Sequence, residues 1–159
     1  MIYFIKNEYP KDLDNTEFET IMRKYAIKQH SSLDFTFNAI NIGTDKIFHG
    51  LETKKDLKFT RIKTSFEMFL PKLIISLKKD TNEKEYRIRL SAVPTAILGL
   101  LTFGLLIGTI SLIQGNTTMD KLSPFLIIIL FYSMLIFLEY KITISRINKA
   151  LSKSTTVSC

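Results

Sequence analysis

The chain has 159 residues, 46% of them hydrophobic and 23% charged, with a formal charge of +7 and one cysteine, Cys159. A lone cysteine excludes a disulfide framework and a cysteine-rich metal cluster. Most charges lie before Ser91 or after Leu138, a segregation that excludes an ordinary soluble domain and describes a chain that meets two solvents.

The N-terminal "MIYFIKNEYPKDLDN" is charged early and has no long apolar core, so it is not a signal peptide and the first apolar span has to serve as the targeting signal. The segment "DNTEFETIMRKYAIKQH" predicts a helix, because Phe18, Ile21, Met22, Tyr25 and Ala26 recur on one face. Thr16 with Glu19 makes a capping box, and Asn15 or Asp14 is an equally good cap. Its apolar stripe is expected to cover one face of a sheet. Alternating runs follow: "LDFTFNAI", "KIFHGLE", "DLKFTRIKT", "FLPKLIISLKK" and "KEYRIRL". Period two predicts strands, with Pro71 beginning one of them, and the short polar connectors "TKKD" and "DTNEK" favour sequential antiparallel neighbours. Residues 1–91 therefore read as a cytoplasmic helix laid on a β-meander of about four or five strands. The last strand carries Arg87 and Arg89 on its polar face and enters an apolar helix through Ser91 and Pro94, where proline suits a first helical turn.

The run from "IFHGLETKKDLKF" through "SFEMFLPKLIISL" to "EYRIRLSAV", followed at once by an apolar span, resembles small uncharacterised two-pass membrane proteins of Bacteroidetes-type bacteria. Gly50, Phe59, Phe69 and Pro71 occupy the places of that pattern, and the similarity covers about Phe48 to Ile113. It departs around Arg61, and Ile75 or Ser76 stands where a second glycine is expected. The resemblance implies a fold and a bacterial inner membrane, and brings no activity with it.

Ala92 to Ile113 contains no charged residue, and at ~1.5 Å per residue it reaches roughly 33 Å, the hydrocarbon thickness of a bilayer. "PFLIIILFYSMLIFL" reaches roughly 23 Å and needs Glu139 to Ile142 at the interface to complete a second span, placed at about 124–142. Pro124 suits its first turn, and "QGNTTMDKLS" makes the tight loop of a helical hairpin over 92–142. The lone acid near a span, Glu139, is expected at the interface beside Lys141. Lys78, Lys79, Lys84, Arg87 and Arg89 precede the hairpin and Lys141, Arg146, Lys149 and Lys153 follow it, whereas the loop has only Lys121 beside Asp120. Both termini are therefore expected in the cytoplasm. The tail, 143–159, can form a basic helix with Ile144, Ile147 and Leu151 on one side, suited to lying on lipid. Arg87, Arg89, Lys141, Arg146, Lys149 and Lys153 are the predicted membrane-surface residues. Anionic lipid explains the net charge without nucleic acid.

Gly104 and Gly108, four apart and extended by Ser111, form a small-residue stripe that packs another helix closely. The tethered second span is the first candidate for that partner and another copy the second. No catalytic, cofactor-binding or metal-binding residue is assigned. Arg23 and His30, seven apart, loosely match an Arg-x-x-x-x-His ribonuclease motif, and His49 beside Gly50 reads as a turn or strand-edge residue. The sequence thus predicts an α+β membrane protein, an N-terminal helix plus antiparallel β-meander followed by a two-helix transmembrane hairpin. Its expected role is non-enzymatic: a two-pass inner-membrane protein whose sheet domain binds a protein or ligand. The alternative is a signal-activated effector that oligomerises through the hairpin and disrupts the membrane.

Overall fold

The computed structural model describes residues 3–8, 13–34, 45–79, 85–115 and 118–155. In chain order these form β1 (Tyr3–Glu8), α1 (Asn15–Lys24), β2 (Ala26–Lys28), β3 (Phe48–Glu52), β4 (Asp56–Arg61), a 3₁₀ turn (Phe66–Phe69), β5 (Leu73–Lys78), β6 (Glu85–Leu90), α2 (Ala92–Ile113) and α3 (Met119–Thr155). The architecture is α+β: a six-stranded sheet of order β1-β6-β5-β4-β3-β2 with three helices. Strands β3 to β6 are sequential antiparallel neighbours, as the short β3–β4 and β5–β6 connectors favour, with residues 62–72 and their 3₁₀ turn joining β4 to β5. Two strands lie beyond the expected meander. β1 precedes the helix and pairs antiparallel with β6, and β2 pairs parallel with β3.

The predicted helix over 14–30 is shorter. It starts at Asp14, whose extended backbone (φ −89°, ψ 160°) makes it the N-cap with Glu17 three residues on, rather than at Thr16 with Glu19. It ends at Lys24, because the Tyr25 carbonyl accepts from the N–H groups of Ile47 and Phe48 and delivers Ala26–Lys28 to β3. Pairing to a neighbouring strand overrides a helical periodicity that carries on in sequence. The expected strand at "LDFTFNAI" retains only Leu33 and Asp34, in a turn; residues 35–40 lie outside those described. Pro71 precedes β5 by two residues and costs the ladder no donor.

The core forms between one sheet face and the helices. Phe59 lies opposite both Gly50 and Ile75, and Ile75 opposite Ile88, so a row of core positions crosses the sheet. Gly50 makes room for that row, since a Cβ there would lie 3.0 Å from the Phe59 ring. Phe18 and Met22 of α1 close over it, with the Phe18 ring stacked on Tyr86 at 5.6 Å. The rest of the cover comes from α3: Ile147, Ala150 and Leu151 are buried in this same core.

That contact corrects the reading of the tail as lying on lipid over its described part, 143–155; residues 156–159 lie outside those described. Helix α3 continues without a break to Thr155, because nothing between Glu139 and Thr155 is a glycine or proline that would stop it. At ~1.5 Å per residue it is roughly 55 Å long, and its C-terminal part outreaches a bilayer core of ~30 Å. The stripe of Ile144, Ile147 and Leu151 therefore faces the sheet. Pro124 lies inside α3 instead of in its first turn, and the Ser123 hydroxyl donates to the Asp120 carbonyl that a residue-124 N–H would otherwise reach.

Both α2 and α3 are long and apolar enough to cross a membrane, with mean hydropathy 2.3 and 2.2 over their most apolar stretches. None of that stretch is buried in α2 and 11% in α3, and Leu100, Ile113, Leu130 and Phe131 project outward. So large an apolar surface is rare on a soluble protein. The pair is compatible with a membrane protein.

Candidate functional site

The apolar phase of β4 is set by Leu57 and Phe59, and two residues further the same phase places Arg61, then Lys63, toward the core. Both side chains are buried, so each needs a partner. Glu139 of α3, also buried, supplies it: Arg61 donates through Nη2 to Glu139 Oε2 at 2.6 Å and through Nε to Oε1 at 3.3 Å. Lys63 Nζ lies 3.7 Å from Glu139 Oε1 and donates to the carbonyls of Leu70 (2.6 Å) and Pro71 (3.2 Å). Glu67, in the 3₁₀ turn, brings Oε2 to 2.7 Å from Arg61 Nη1 and accepts the Thr64 N–H at 2.8 Å. Two cations thus face two carboxylates at the end of the sheet where the hairpin begins.

Burial works against the Arg61 guanidinium, but Glu139 and Glu67 outweigh it and hold it above its ordinary value. For Lys63 burial wins and its ammonium is held below the ordinary lysine range, despite Glu139. Burial, reinforced by Lys63, pulls the neighbouring Lys72 down to about 8. Glu139, expected at the interface, is 1% exposed and forms the centre of this cluster. Thr143, one turn beyond it, is buried with no hydrogen-bond partner for its hydroxyl among the described residues.

A second, partly buried pair ties the sheet to α2. Arg89 closes a bidentate contact on Asp34, Nη1 to Oδ1 at 3.0 Å and Nη2 to Oδ2 at 2.9 Å. Asp34 Oδ1 also accepts the Ala92 N–H at 3.0 Å, so it caps the helix that β6 enters. The joint is a single residue, Ser91, whose N–H donates to the Lys72 carbonyl and whose own carbonyl takes Thr95. Pro94 falls in the first turn, as expected, and its carbonyl accepts from Tyr132 of α3. Helix α3 is therefore rooted in the sheet through the buried Arg61–Glu139 pair, and α2 through the Ala92 N–H on Asp34, which Arg89 of β6 holds in place.

The other predicted residues divide between this root and the surface. Arg89, expected at the membrane surface, is 3% exposed and turned to Asp34. Arg87 is partly exposed and bonds Glu85. Lys141, with its ammonium over the Phe137 ring, shares a shallow depression on α3 with Arg146 and Lys149, and Lys153 is exposed in the last turn. Gly104 and Gly108 face α3: a Cβ would lie 3.5 Å from the Phe125 ring at the first and 2.9 Å from Leu122 Cδ1 at the second. Ser111 is half-buried on the same stretch. Arg23 is held by Glu19 and Glu52, and His30 lies beyond β2, off the helix, so the two do not share a helical face. His49 is buried in β3 with Nδ1 3.1 Å from Gln29 Nε2; burial, and then Lys72, hold its pKa below the usual histidine value.

Gly108→Ile is expected to cost about 1–3 kcal/mol by overpacking against Leu122, read as a lower unfolding midpoint in mixed detergent. Gly99→Ile, where an added Cβ meets nothing, is the control and should leave the midpoint unchanged.

On the sheet side of Glu139, an open groove of about 690 Å³ runs between the β1–β6 edge, α1 and α3. Asn7, Tyr86, Tyr140, Lys141 and Asn148 contribute polar groups to its wall. Tyr140 donates to Asn7 Oδ1 at 3.1 Å, while Asn7 Nδ2 is buried without a partner among the described residues. Among the described residues no three His, Cys, Asp or Glu side chains converge as a metal site would require. No family model, curated protein or solved structure matches the chain.

Proposed function

We propose that this chain is a non-enzymatic two-pass protein of the bacterial inner membrane, with both termini in the cytoplasm and a sheet domain that binds a protein or small ligand at the membrane surface. The observation that carries this reading is the double root: outward-facing apolar helices joined to the sheet by Arg61–Glu139 and Arg89–Asp34. The groove beside Tyr140 is the place for such a ligand, since it offers an unpartnered buried donor at Asn7 and borders α3 directly. Occupancy there would press on the same rigid helix that crosses the bilayer. The bacterial membrane follows from the sequence resemblance, and the orientation from the lysines and arginines that flank the hairpin. The effector alternative asks Gly104 and Gly108 to contact a second copy, and that face is filled by Phe125 and Leu122 of the same chain.

Cysteine labelling tests the placement. On intact spheroplasts a membrane-impermeant maleimide should label Thr118→Cys, in a Cys159→Ser background, and should reach native Cys159 only after the membrane is opened. Labelling of Cys159 from outside would refute the topology. A photo-crosslinking residue at Asn148, on the groove wall, should give a discrete adduct that one at Lys54, in the remote β3–β4 turn, does not. No adduct at Asn148 would remove the groove from the proposal.

A further inference from the structure

The 3₁₀ turn between β4 and β5 carries "FEMF", Phe66 to Phe69, and its side chains divide sharply. Glu67 turns inward to Arg61, whereas Phe66 is 92% and Phe69 87% exposed, with Met68 half-exposed beside them. With three residues per turn, positions three apart eclipse one another, so the two phenylalanines project from one side of the turn. Two adjacent exposed rings form an apolar patch, not a scattered surface residue.

The level of this patch is fixed by the charge cluster. Glu67 contacts Arg61 at 2.7 Å and Arg61 contacts Glu139 at 2.6 Å. Glu139 ends the charge-free apolar run of α3 that begins at Pro124, so the turn lies at the depth where that span leaves the hydrocarbon. The start of β5 gives the same level independently, since Leu73 pairs with Leu90 and the Lys72 carbonyl takes the Ser91 N–H, one residue before α2 begins. The patch therefore lies at the level where the apolar belt of the hairpin ends.

We propose that Phe66 and Phe69 insert into the headgroup–acyl boundary of the leaflet that α2 enters, making the β4–β5 turn a third membrane contact of the sheet domain. Phenylalanine on the apolar side of an interfacial segment is buried at that boundary between headgroups and acyl chains. Their insertion fixes the tilt of the sheet, which two helices side by side leave free to rock about the line between them. This inference rests on the two-pass reading, and one experiment separates the two.

The chain contains no tryptophan, so a single introduced indole reports its own depth. Full-length Phe66→Trp, Phe103→Trp and Lys54→Trp are reconstituted separately into phosphatidylethanolamine–phosphatidylglycerol vesicles whose acyl chains are unbrominated, brominated near the headgroup, or brominated near the terminal methyl. The expected result is blue-shifted emission and loss of intensity on brominated lipid for Phe66→Trp and Phe103→Trp, and neither for Lys54→Trp. Quenching of Phe103→Trp in α2 without quenching of Phe66→Trp would overturn the third contact and leave the two-pass reading standing, with a protein partner as the other occupant of the patch. Absence of quenching in both would overturn the two together.

Discussion

Glu139→Gln will lower the stability of the folded protein by about 3–5 kcal/mol, because it leaves the buried Arg61 and Lys63 with one carboxylate less between them. The neutral amide keeps the size of the side chain, so the loss reports charge rather than a cavity. The measurement is the midpoint of unfolding in mixed dodecyl maltoside and dodecyl sulfate, followed by circular dichroism. A buried pair is costly to break but not necessarily costly to replace. The variant Arg61→Met, Glu139→Leu should therefore recover much of what Glu139→Gln loses, and the double-mutant cycle should show strong coupling. Equal losses that simply add would mean that the two residues do not share one buried contact. A Glu139→Gln midpoint close to the wild type would place Glu139 in solvent.

Strands β3 to β6 and the first apolar helix were legible in the sequence because each obeys a local rule, whereas β1 and β2 were not. Tyr86, Ile88 and Leu90 alternate with Glu85, Arg87 and Arg89, and Ala92 to Ile113 carries no charge. The boundary of α1 was not legible, since Ala26 continues the helical stripe and only the Tyr25 carbonyl, taken by β3, turns it into a strand. The fate of the C-terminal stripe was half legible. Its spacing gave the right residues, Ile144, Ile147 and Leu151, but lipid and a sheet both satisfy an apolar face, and only the tertiary fold chooses. The charge cluster left a signal that periodicity read more strictly would have caught. In "DLKFTRIKT" the phase of Leu57 and Phe59 passes through Arg61 and Lys63, and a cation in core phase demands a buried anion. Glu139, the lone acid at the end of an apolar run, was the matching half. Asp34 gave no such signal, for its partnership with Arg89 spans 55 positions of sequence.

Asp34→Ala should be the second most damaging substitution, at about 2–4 kcal/mol, since it strips the partner from Arg89 and the cap from the first turn of α2. Partial exposure of Asp34 keeps this below the Glu139 effect. Its acid dependence gives a separate readout. The Arg89 guanidinium holds the Asp34 carboxyl below the usual carboxylate range, so its contribution is complete above the unfolded-state value of about 3.9 and is lost as the pH falls through the lower folded-state value. Wild-type stability should therefore drop on acidification below about pH 4 by more than that of Asp34→Ala, which has no such group to protonate. Asp34→Asn separates the two roles, because its amide oxygen still accepts the Ala92 N–H but cannot neutralise Arg89. Hydrogen exchange at Ala92 should then accelerate in Asp34→Ala and stay slow in Asp34→Asn, while both lose the ion pair. Acid profiles that coincide for wild type and Asp34→Ala would remove Asp34 as the residue that fastens the sheet to the first span, and the one-residue joint at Ser91 would have to hold it alone.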